Sequence, residues 1–422
     1  MNTKSGRIWT LVAASGVLTL GLIMAPLRVS AVEELRIGFI APMTGGFAQV
    51  GKDMSDGFKM YLDEVGNDFA GAKVVFILED DQAKPPLGVQ KAEKLIRQDK
   101  VNLFIGGLLA SSGYALAPVS TREKVIYISS VPTADDLTQR DSDKYPYFIR
   151  TGWNSSQPGH PFGEWACQNG FKRIATVAAD YAFGHEVTGG FQKSFEGCGG
   201  KVVQKIWPPL GTIDYGPFLP QIKRDVDAVY TVLVGPMTLQ FPKQYKAAGI
   251  TMPLIGGGTS ADEFALPFMG DEAIGYVTAL QYSAALNTPK NIAFVKKYRQ
   301  LFGKVPSYYS ESNYSTAQWI HEVMKKTGGK WPGTEEFIKI FSSIELDSVR
   351  GPLKLDDQRN PIQNIYIRRV VREKKFGFPD AELWNEVIKT YPAVGQYWHY
   401  PKAEFLKQPV YSRDFPPCKF CE

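Results

Sequence analysis

Two adjacent serines lie where an apolar run gives way to a helical pattern, in "VNLFIGGLLASSGYALAPV". Ser111 and Ser112 follow two glycines, Gly106 and Gly107, and "GYALAPV" predicts a helix. The first N–H groups of a helix lack partners within the helix and carry part of a positive charge. Glycines let backbone approach a ligand closely, and serine hydroxyls add donors. The stretch predicts a site for a carboxylate or phosphate that needs no Lys or Arg. Alternatively, one serine only caps its own helix.

A second predicted strand end carries another small hydroxyl. "ISSVPTADDLT" places Thr133 directly after the strand "VIYIS". Because the carboxyl ends of parallel strands lie side by side at one edge of a sheet, we expect Thr133 to donate to the same anion.

A catalytic nucleophile is the third interpretation of the serines, and the motif for it is absent. The pattern G-x-S-x-G fails because Leu109 and Ala110 stand two residues before Ser111 and Ser112. A hydrolase also needs a base, and no histidine lies in a supporting pattern. We expect most of the four histidines at the surface: His160, His185, His321 and His399. The sequence therefore predicts no enzymatic activity.

A glycine-rich turn near the start of the chain is similar to a phosphate-binding loop. "GGFAQVGKD" contains G-x-x-x-x-G-K between Gly46 and Lys52, but Asp53 stands where Ser or Thr should bind Mg²⁺. A carboxylate there would repel nucleotide phosphates, so we expect only a turn whose amides point at a cleft. No metal or other cofactor is predicted.

The first 31 residues predict a secretory signal peptide. Lys4 and Arg7 precede an apolar run over 8–27, and "RVSA" ends in small residues at the cleavage position. A single membrane anchor is the alternative. Export implies a periplasmic location and an oxidising compartment, in which two disulfides are expected. The four cysteines are Cys167 and Cys198, and Cys418 and Cys421.

The charge argues against nucleic acid and anionic membranes as partners. The whole chain has a net charge of +5, and removing the three basic residues of the signal leaves +2. No long Lys/Arg run is present.

From Leu35 to about Leu280, short β-branched runs alternate with helical periods, which predicts two α/β units with parallel sheets. One expected helix covers 262–269. Three later helices have no strands between them and need a sheet to cover, for which the first unit is available. The expected organisation is a first lobe over 33–149 and 281–349, a second over 150–280 and 350–390, and an ordered tail over 391–422.

The chain resembles the periplasmic solute-binding proteins of ABC importers, of the leucine/isoleucine/valine-binding type. The resemblance covers about 34–370 and rests on the order of "IGFIAPMTGGFAQVGKDMSDGFKM", "GGLLASSGYALAPV", "ISSVPTADDLT" and "DYAFGHEVTGGFQKSF". It implies the type I periplasmic-binding fold: two Rossmann-like lobes with parallel sheets, joined by a three-strand hinge. It also implies a cleft that closes on a small ligand, permease subunits as partners and a monomeric binder rather than an enzyme.

The resemblance assigns ligand contacts position by position. The implied binding residues are Phe47, Val50, Ala110, Ser111, Ser112, Val131, Pro132, Thr133, Tyr181, Phe183, Gly258 and Thr259.

One departure from the family pattern bears on the ligand. The family's amino-acid binders carry an acid after the strand that corresponds to "PLIGGG", and here Gly257 or Gly258 and then Thr259 occupy that place. No acid follows until Asp262. A buried ammonium without a counter-charge would cost several kcal/mol. We therefore expect a small carboxylate with an uncharged, aromatic body. The alternatives are a branched-chain amino acid or amide, if Asp262 reaches the cleft, and a sensor that hands its closed state to a signalling protein.

Overall fold

The computed structural model describes residues 1–8, 10 and 33–421. The signal peptide predicted over 1–31 falls mostly outside the described residues. None of the helices among the described residues combines the length and hydrophobicity that a membrane span requires.

The amino-terminal half of the chain builds a six-stranded sheet. Its strands are β1 (Glu34–Ala41), β2 (Asp68–Phe69), β3 (Ala72–Asp80), β4 (Leu103–Gly106), β5 (Ile126–Ser129) and β6 (Phe148–Arg150). Helices α1 (Ala48–Glu64), α2 (Pro85–Arg97), α3 (Ala110–Glu123) and α4 (Asp136–Gln139) connect them. The strand order is β2-β3-β1-β4-β5-β6, and every pair except β2–β3 is parallel. Every residue of β4 and β5 is buried, as expected for parallel strands that helices cover on both faces.

The second sheet has nine strands and is mixed. The strands are β7 (Arg173–Ala178), β8 (Lys201–Ile206), β9 (Ala228–Val232), β10 (Leu254–Gly257), β11 (Val277–Leu280), β12 (Leu346–Ser348), β13 (Gly351–Leu355), β14 (Pro361–Glu373) and β15 (Glu382–Val394). Helix α5 (Gly159–Gln168) precedes β7, α6 (Ala182–Gly197) connects β7 to β8, and α7 (Met237–Ala247) connects β9 to β10. The order is β12-β13-β14-β11-β10-β9-β7-β8, with β15 beside β14.

The predicted two-lobe α/β fold is confirmed, but the second sheet is not purely parallel. β14 runs antiparallel to β11, and β15 runs antiparallel to β14. β15 was not predicted, because its sequence "ELWNEVIKTYPAV" mixes charges and a proline with apolar residues. Such a pattern suits an edge strand that is half exposed to water. β15 also ends at Val394, beyond the predicted start of the tail at 391.

The prediction of a helix over 262–269 is wrong. Short 3-10 turns, Gly258–Ala261 and Leu266–Phe268, occupy this region instead. Pro267 lies where the interior of the expected helix would be, and proline there removes a backbone hydrogen bond and clashes with the preceding turn.

The three late helices pack as expected on the first lobe. They are α8 (Pro289–Phe302), α9 (Tyr308–Lys326) and α10 (Thr334–Ser343). α9 lies along α1, where the Tyr61 hydroxyl and His321 Nδ1 are 3.0 Å apart and the Tyr314 hydroxyl donates to Glu64. His321 and His160 are buried, so the expectation that most histidines lie at the surface is wrong. The exact lobe boundaries stay a prediction.

Gly57 sets how closely α1 and α9 approach. A Cβ atom at this position would lie 2.0 Å from the backbone oxygen of Ser310. We expect Gly57→Ala to lower the free energy of unfolding by about 1–3 kcal/mol, because neither backbone can give way easily. The matched control is Gly197→Ala at the end of α6, where no heavy atom lies within 4 Å of the added Cβ. Urea unfolding should leave the Gly197 variant unchanged or slightly stabilised. Equal midpoints for the two variants would contradict this account of the contact.

The segment after β15 is ordered along the second lobe and reaches back to the first. Its helix α11 (Lys402–Phe405) lies near His160, and Tyr411 packs against Gly189 of α6. Arg140 donates to the backbone oxygens of Leu406 and Gln408. The segment predicted as an ordered tail therefore makes contacts with both lobes.

The four cysteines pair as the sequence favoured. One disulfide joins Cys167 to Cys198, at the ends of α5 and α6, and the other joins Cys418 to Cys421.

The chain passes between the lobes three times, and these passages contact one another. Arg350 Nη2 donates to the backbone oxygen of Thr151 at 2.5 Å, and Gln363 Nε2 donates to that of Gly152 at 2.9 Å. The Gln281 amide lies 3.5 Å from the Ser312 hydroxyl. These contacts tie the three passages together between the two sheets.

Candidate functional site

The turn from β4 to α3 supplies one wall of the interlobe cleft. Gly106 has φ +107°, and a Cβ on it would lie 2.1 Å from the backbone oxygen of Ile40, so only glycine is tolerated there. Leu109 occupies the N-cap position of α3, and among the described residues no side chain caps this helix. The cap interpretation of the serines is therefore wrong. The Ser112 N–H donates to the Leu109 oxygen at 2.9 Å, so the N–H groups of Ala110 and Ser111 are the ones at this helix start that can bind an anion.

The two serines have different environments. Ser112 is fully buried, and its hydroxyl has no hydrogen-bond partner in the described part of the chain. Ser111 is half-buried, and neither serine is among the residues that line the cleft. An unpartnered buried hydroxyl is costly, which makes Ser112 the better candidate to donate to a ligand.

The loop after β5 brings Thr133 to the same wall. Its hydroxyl accepts a hydrogen bond from the Ser155 hydroxyl at 2.8 Å, which leaves its own hydrogen free to donate. Pro132 packs against Gly107 and Gly113 and so joins this loop to the start of α3. Two strand ends therefore contribute to one wall, as the sequence predicted.

Arg150 holds this loop in place. The guanidinium is fully buried and donates to the backbone oxygens of Pro132, Trp153 and Ala134 at 2.9, 3.1 and 2.5 Å. Burial lowers the pKa of Arg150 to about 10, so the side chain stays charged at neutral pH. Sequence reasoning missed this residue. The available signal was an arginine at the end of the otherwise apolar strand "YFIR".

The second lobe provides an aromatic wall. Tyr181 is the N-cap residue of α6, and its ring centroid lies 5.9 Å from that of Phe183. Trp153 packs edge-on against Phe183, at 5.6 Å between centroids. Thr259 is buried, and its hydroxyl has no hydrogen-bond partner within the described ranges.

Phe47 and two tyrosines complete the enclosure. Phe47 precedes α1 and lies close to Gly235 of the second lobe. A Cβ atom added to Gly235 would be 2.5 Å from the Phe47 ring. Tyr308 and Tyr309 begin α9, with ring centroids 3.9 Å apart. Tyr308 and Tyr309 are both 3% exposed, and neither was predicted from the sequence as a site residue.

These residues enclose a narrow, mainly apolar cavity. It measures about 330 Å³, including the part open to solvent. This volume suits a small molecule. The lining residues are Phe47, Leu108, Leu109, Ala110, Val131, Thr133, Tyr181, Phe183, Val234, Thr259, Tyr308 and Tyr309.

Seven of the twelve residues expected at the site line this cavity: Phe47, Ala110, Val131, Thr133, Tyr181, Phe183 and Thr259. The other five lie behind or beside it. Val50 is buried in α1. Gly258 faces Leu280, and a Cβ atom added to Gly258 would lie 2.5 Å from the Leu280 side chain. Ser111, Ser112 and Pro132 surround the lining residues of the first wall.

The cavity offers no counter-charge for an ammonium group. Of the described residues that line it, none is charged. Asp262 is fully buried and is not among the lining residues, although it lies close enough to Tyr308 and Tyr309 to affect their pKa values. Burial and the neighbouring Glu263 raise the pKa of Asp262 well above its usual range, which favours the neutral carboxyl. In the part of the chain that the structure describes, no cluster of side chains is arranged to hold a metal ion.

Comparison with known proteins agrees with this geometry. A family model described as periplasmic binding protein matches residues 34–375. The chain belongs to the periplasmic binding protein family. The resemblance drawn from the sequence motifs and the expected type I fold are both confirmed. As a member of this family the protein is a non-enzymatic solute-binding protein of an ABC transporter.

Relatives of this periplasmic binding protein have different ligands in their names. The Leu/Ile/Val-binding protein homolog 6 of Brucella melitensis biotype 1 is 29% identical over 375 residues, which are 86% of this chain and 93% of that one. A solute-binding protein of an ABC transporter from Rhodopseudomonas palustris BisB5, solved in complex with 3,4-dihydroxy benzoic acid, is 34% identical. It has a TM-score of 0.80 and covers 86% of this chain and 98% of its own. Another from R. palustris, in complex with 4-hydroxybenzoate, is 29% identical, with a TM-score of 0.80 over 89% and 100% of the two chains.

Proposed function

We propose that this protein is the periplasmic receptor of an ABC importer for a small aromatic carboxylate. The carboxylate binds at the first N–H groups of α3 and at the hydroxyls of Ser112 and Thr133. The ring lies between Phe47 and the second-lobe side chains Tyr181 and Phe183. The closed form then presents both lobes to the permease subunits in the membrane.

The composition of the cavity wall is the observation that carries this proposal. Hydrogen-bond donors for an anion lie on the first lobe, and aromatic and apolar side chains form the rest. The absence of a charged lining residue among the described ones disfavours any ligand with a buried ammonium. Burial raises the pKa of Tyr181 well above its usual value, so its phenol stays neutral beside a bound anion. The relatives that were solved in complex with 3,4-dihydroxy benzoic acid and 4-hydroxybenzoate support the same ligand class.

Two contacts that bridge the lobes support the proposal that the cleft closes on its ligand. The Tyr114 hydroxyl of α3 donates to Glu186 Oε1 of α6 at 2.9 Å, and Phe47 contacts Gly235. A ligand that touches both walls binds the closed form better than the open one. It therefore shifts the population toward the closed form.

A branched-chain amino acid is the second candidate, because the name of the Brucella relative favours it. It would need a charged acid in the cleft, and burial favours the neutral form of Asp262, the nearest acid after β10. A sensor that passes the closed state to a signalling protein would bind the same ligand and differ only in its partner.

Thermal unfolding with added ligands tests the ligand class. The protein is first unfolded and refolded to remove bound host compounds. It is then melted with benzoate, 4-hydroxybenzoate, leucine or isoleucine. We expect the aromatic acids to raise the melting temperature, since a ligand at 100 times its Kd adds about 2.7 kcal/mol to stability. Leucine and isoleucine should leave it unchanged. A shift with leucine alone would contradict the proposal and favour the second candidate.

A further inference from the structure

Glu186 is a buried carboxyl at the junction of the two lobes. It lies on α6, is 1% exposed, and accepts the hydrogen bond from Tyr114 of the first lobe at Oε1. Its second oxygen, Oε2, has no hydrogen-bond partner within residues 33–421. An ionised carboxylate so placed would be poorly compensated.

A pair of hydroxyls leads from Glu186 to the cleft. The Ser155 hydroxyl is close enough to Glu186 to affect its pKa, and it donates to Thr133 Oγ1 at 2.8 Å. Thr133 lines the cleft. If Glu186 is protonated, it can donate to Ser155, Ser155 to Thr133, and Thr133 to a ligand carboxylate. If Glu186 is ionised, it attracts the Ser155 hydrogen away from Thr133 and so weakens this chain of hydrogen bonds to the ligand.

The charges around Glu186 are unbalanced. Asp135 is buried, with Oδ1 accepting from the Ser156 N–H and Oδ2 without a partner among the described residues. Asp136 lies close as well and is paired with Arg140 at 3.2 Å. The other groups that face the Glu186 carboxyl are Tyr114 of α3, Arg150 of β6, Ser155 and Tyr181.

These surroundings favour a proton on the acid pair. Burial, and then the nearby Asp135, raise the pKa of Glu186 well above its usual range. Burial also raises the pKa of Asp135 to about 7. The Arg150 charge faces both carboxyls and cannot balance two of them together with a ligand carboxylate. A bound anion therefore increases the tendency of the pair to hold a proton.

We propose that Glu186 is a positioning residue for the ligand carboxylate, acting through Ser155 and Thr133, and that the Glu186–Asp135 pair takes up a proton as the ligand closes the cleft. This inference rests on the proposed function, because it needs an anionic ligand at Thr133.

The sign of the pH effect follows because a bound anion raises the pKa of the pair further than in the free form. A carboxyl whose pKa is higher in the bound form favours binding fully at pH values below its pKa in the free form. That contribution is lost as the pH rises through the pKa of the bound form. Affinity for a carboxylate should therefore weaken with rising pH, by at most about tenfold per pH unit for one proton. Between pH 6 and 8 we expect a total weakening of about tenfold.

Calorimetric titration with benzoate measures the proton directly. Benzoate stays ionised from pH 6 to 8 because a carboxylic acid titrates near pH 4. Titrations at pH 7 in two buffers of different ionisation enthalpy give the number of protons exchanged. We expect net uptake of a substantial fraction of one proton. Binding without uptake, and with the same Kd at pH 6 and 8, would overturn this inference but leave the proposed function intact. No binding of benzoate or 4-hydroxybenzoate would overturn both.

Glu186→Gln tests the residue assignment. The amide is neutral at every pH, can donate to Ser155 and can accept from Tyr114, so the variant should bind benzoate with its proton uptake and pH dependence largely lost. Glu196→Gln is the matched control, because Glu196 lies on the same helix and is hydrogen-bonded to Gln192. It should keep the wild-type proton count and pH slope. An unchanged proton count in Glu186→Gln would contradict the assignment. If this variant fails to fold, the proton count of the unmodified protein still decides whether uptake occurs.

Discussion

Replacing the hydroxyls of Ser112 and Thr133 together is expected to weaken binding of an aromatic carboxylate by about 100-fold or more. A hydrogen bond to a charged group contributes about 1.5–3 kcal/mol, and two are removed in Ser112→Ala/Thr133→Ala. Each 1.4 kcal/mol changes Kd by about tenfold, so even the lower values give about 100-fold. Both side chains are at most 3% exposed, so water cannot easily replace the lost donors. Calorimetry with 4-hydroxybenzoate would measure the loss.

Ser111→Ala is the matched control for this double variant. Ser111 lies one residue before Ser112 on the same helix turn, but its side chain is half-buried, whereas the Ser112 hydroxyl is fully buried and has no hydrogen-bond partner among the described residues. We expect its Kd to stay within about twofold of the unmodified protein. The melting temperature without ligand should be unchanged for Ser111→Ala and slightly lower for the double variant, because Thr133→Ala removes an acceptor of the Ser155 hydroxyl whereas the Ser112 hydroxyl has no partner in the described chain to lose. Unchanged affinity in the double variant would mean that the carboxylate binds elsewhere.

The first wall of the site could be predicted because its signals are local. Gly106 and Gly107, the two serines and the following helix are adjacent in sequence. Parallel strands bring their carboxyl ends together wherever they pair. The same rule placed Thr133 beside the start of α3, and the structure agrees. Ordinary strand–helix alternation was enough to predict both lobes.

The rest of the site depends on contacts between distant parts of the chain. Tyr308 follows Trp153 by 155 positions, yet their rings pack at 6.1 Å between centroids. A tyrosine at the start of a helix carries no mark that distinguishes a cleft residue from a surface one. Arg150 was missed for the same reason, since the three carbonyl groups it holds are known only once the loop is folded. The prediction of a helix over 262–269 was wrong because it followed the apolar periodicity and not the effect of Pro267.

The ion pair between Arg350 and Glu311 is the site of the largest expected loss of stability. It lies where the passages between the lobes meet, with an Nη1–Oε2 distance of 2.8 Å and both side chains 0% exposed. Arg350 also donates to the backbone oxygen of Thr151. Arg350→Met removes the cation and leaves Glu311 buried without its partner. We expect the free energy of unfolding to fall by about 3–5 kcal/mol, as for other buried pairs that lose one member.

A second substitution distinguishes the effect of the unpaired Glu311 charge on stability from the effect of losing the Arg350 hydrogen bond to Thr151. Arg350→Met/Glu311→Gln contains no ionised group at this position, and replacing both members of a buried pair is often nearly neutral. Glu311 also accepts from Ser315 at 2.6 Å, and a glutamine oxygen can keep that bond. Urea unfolding should therefore show the double variant to be more stable than Arg350→Met. Equal destabilisation in both would instead assign the loss to the hydrogen bond on Thr151. The hinge would then depend on that backbone contact rather than on charge compensation.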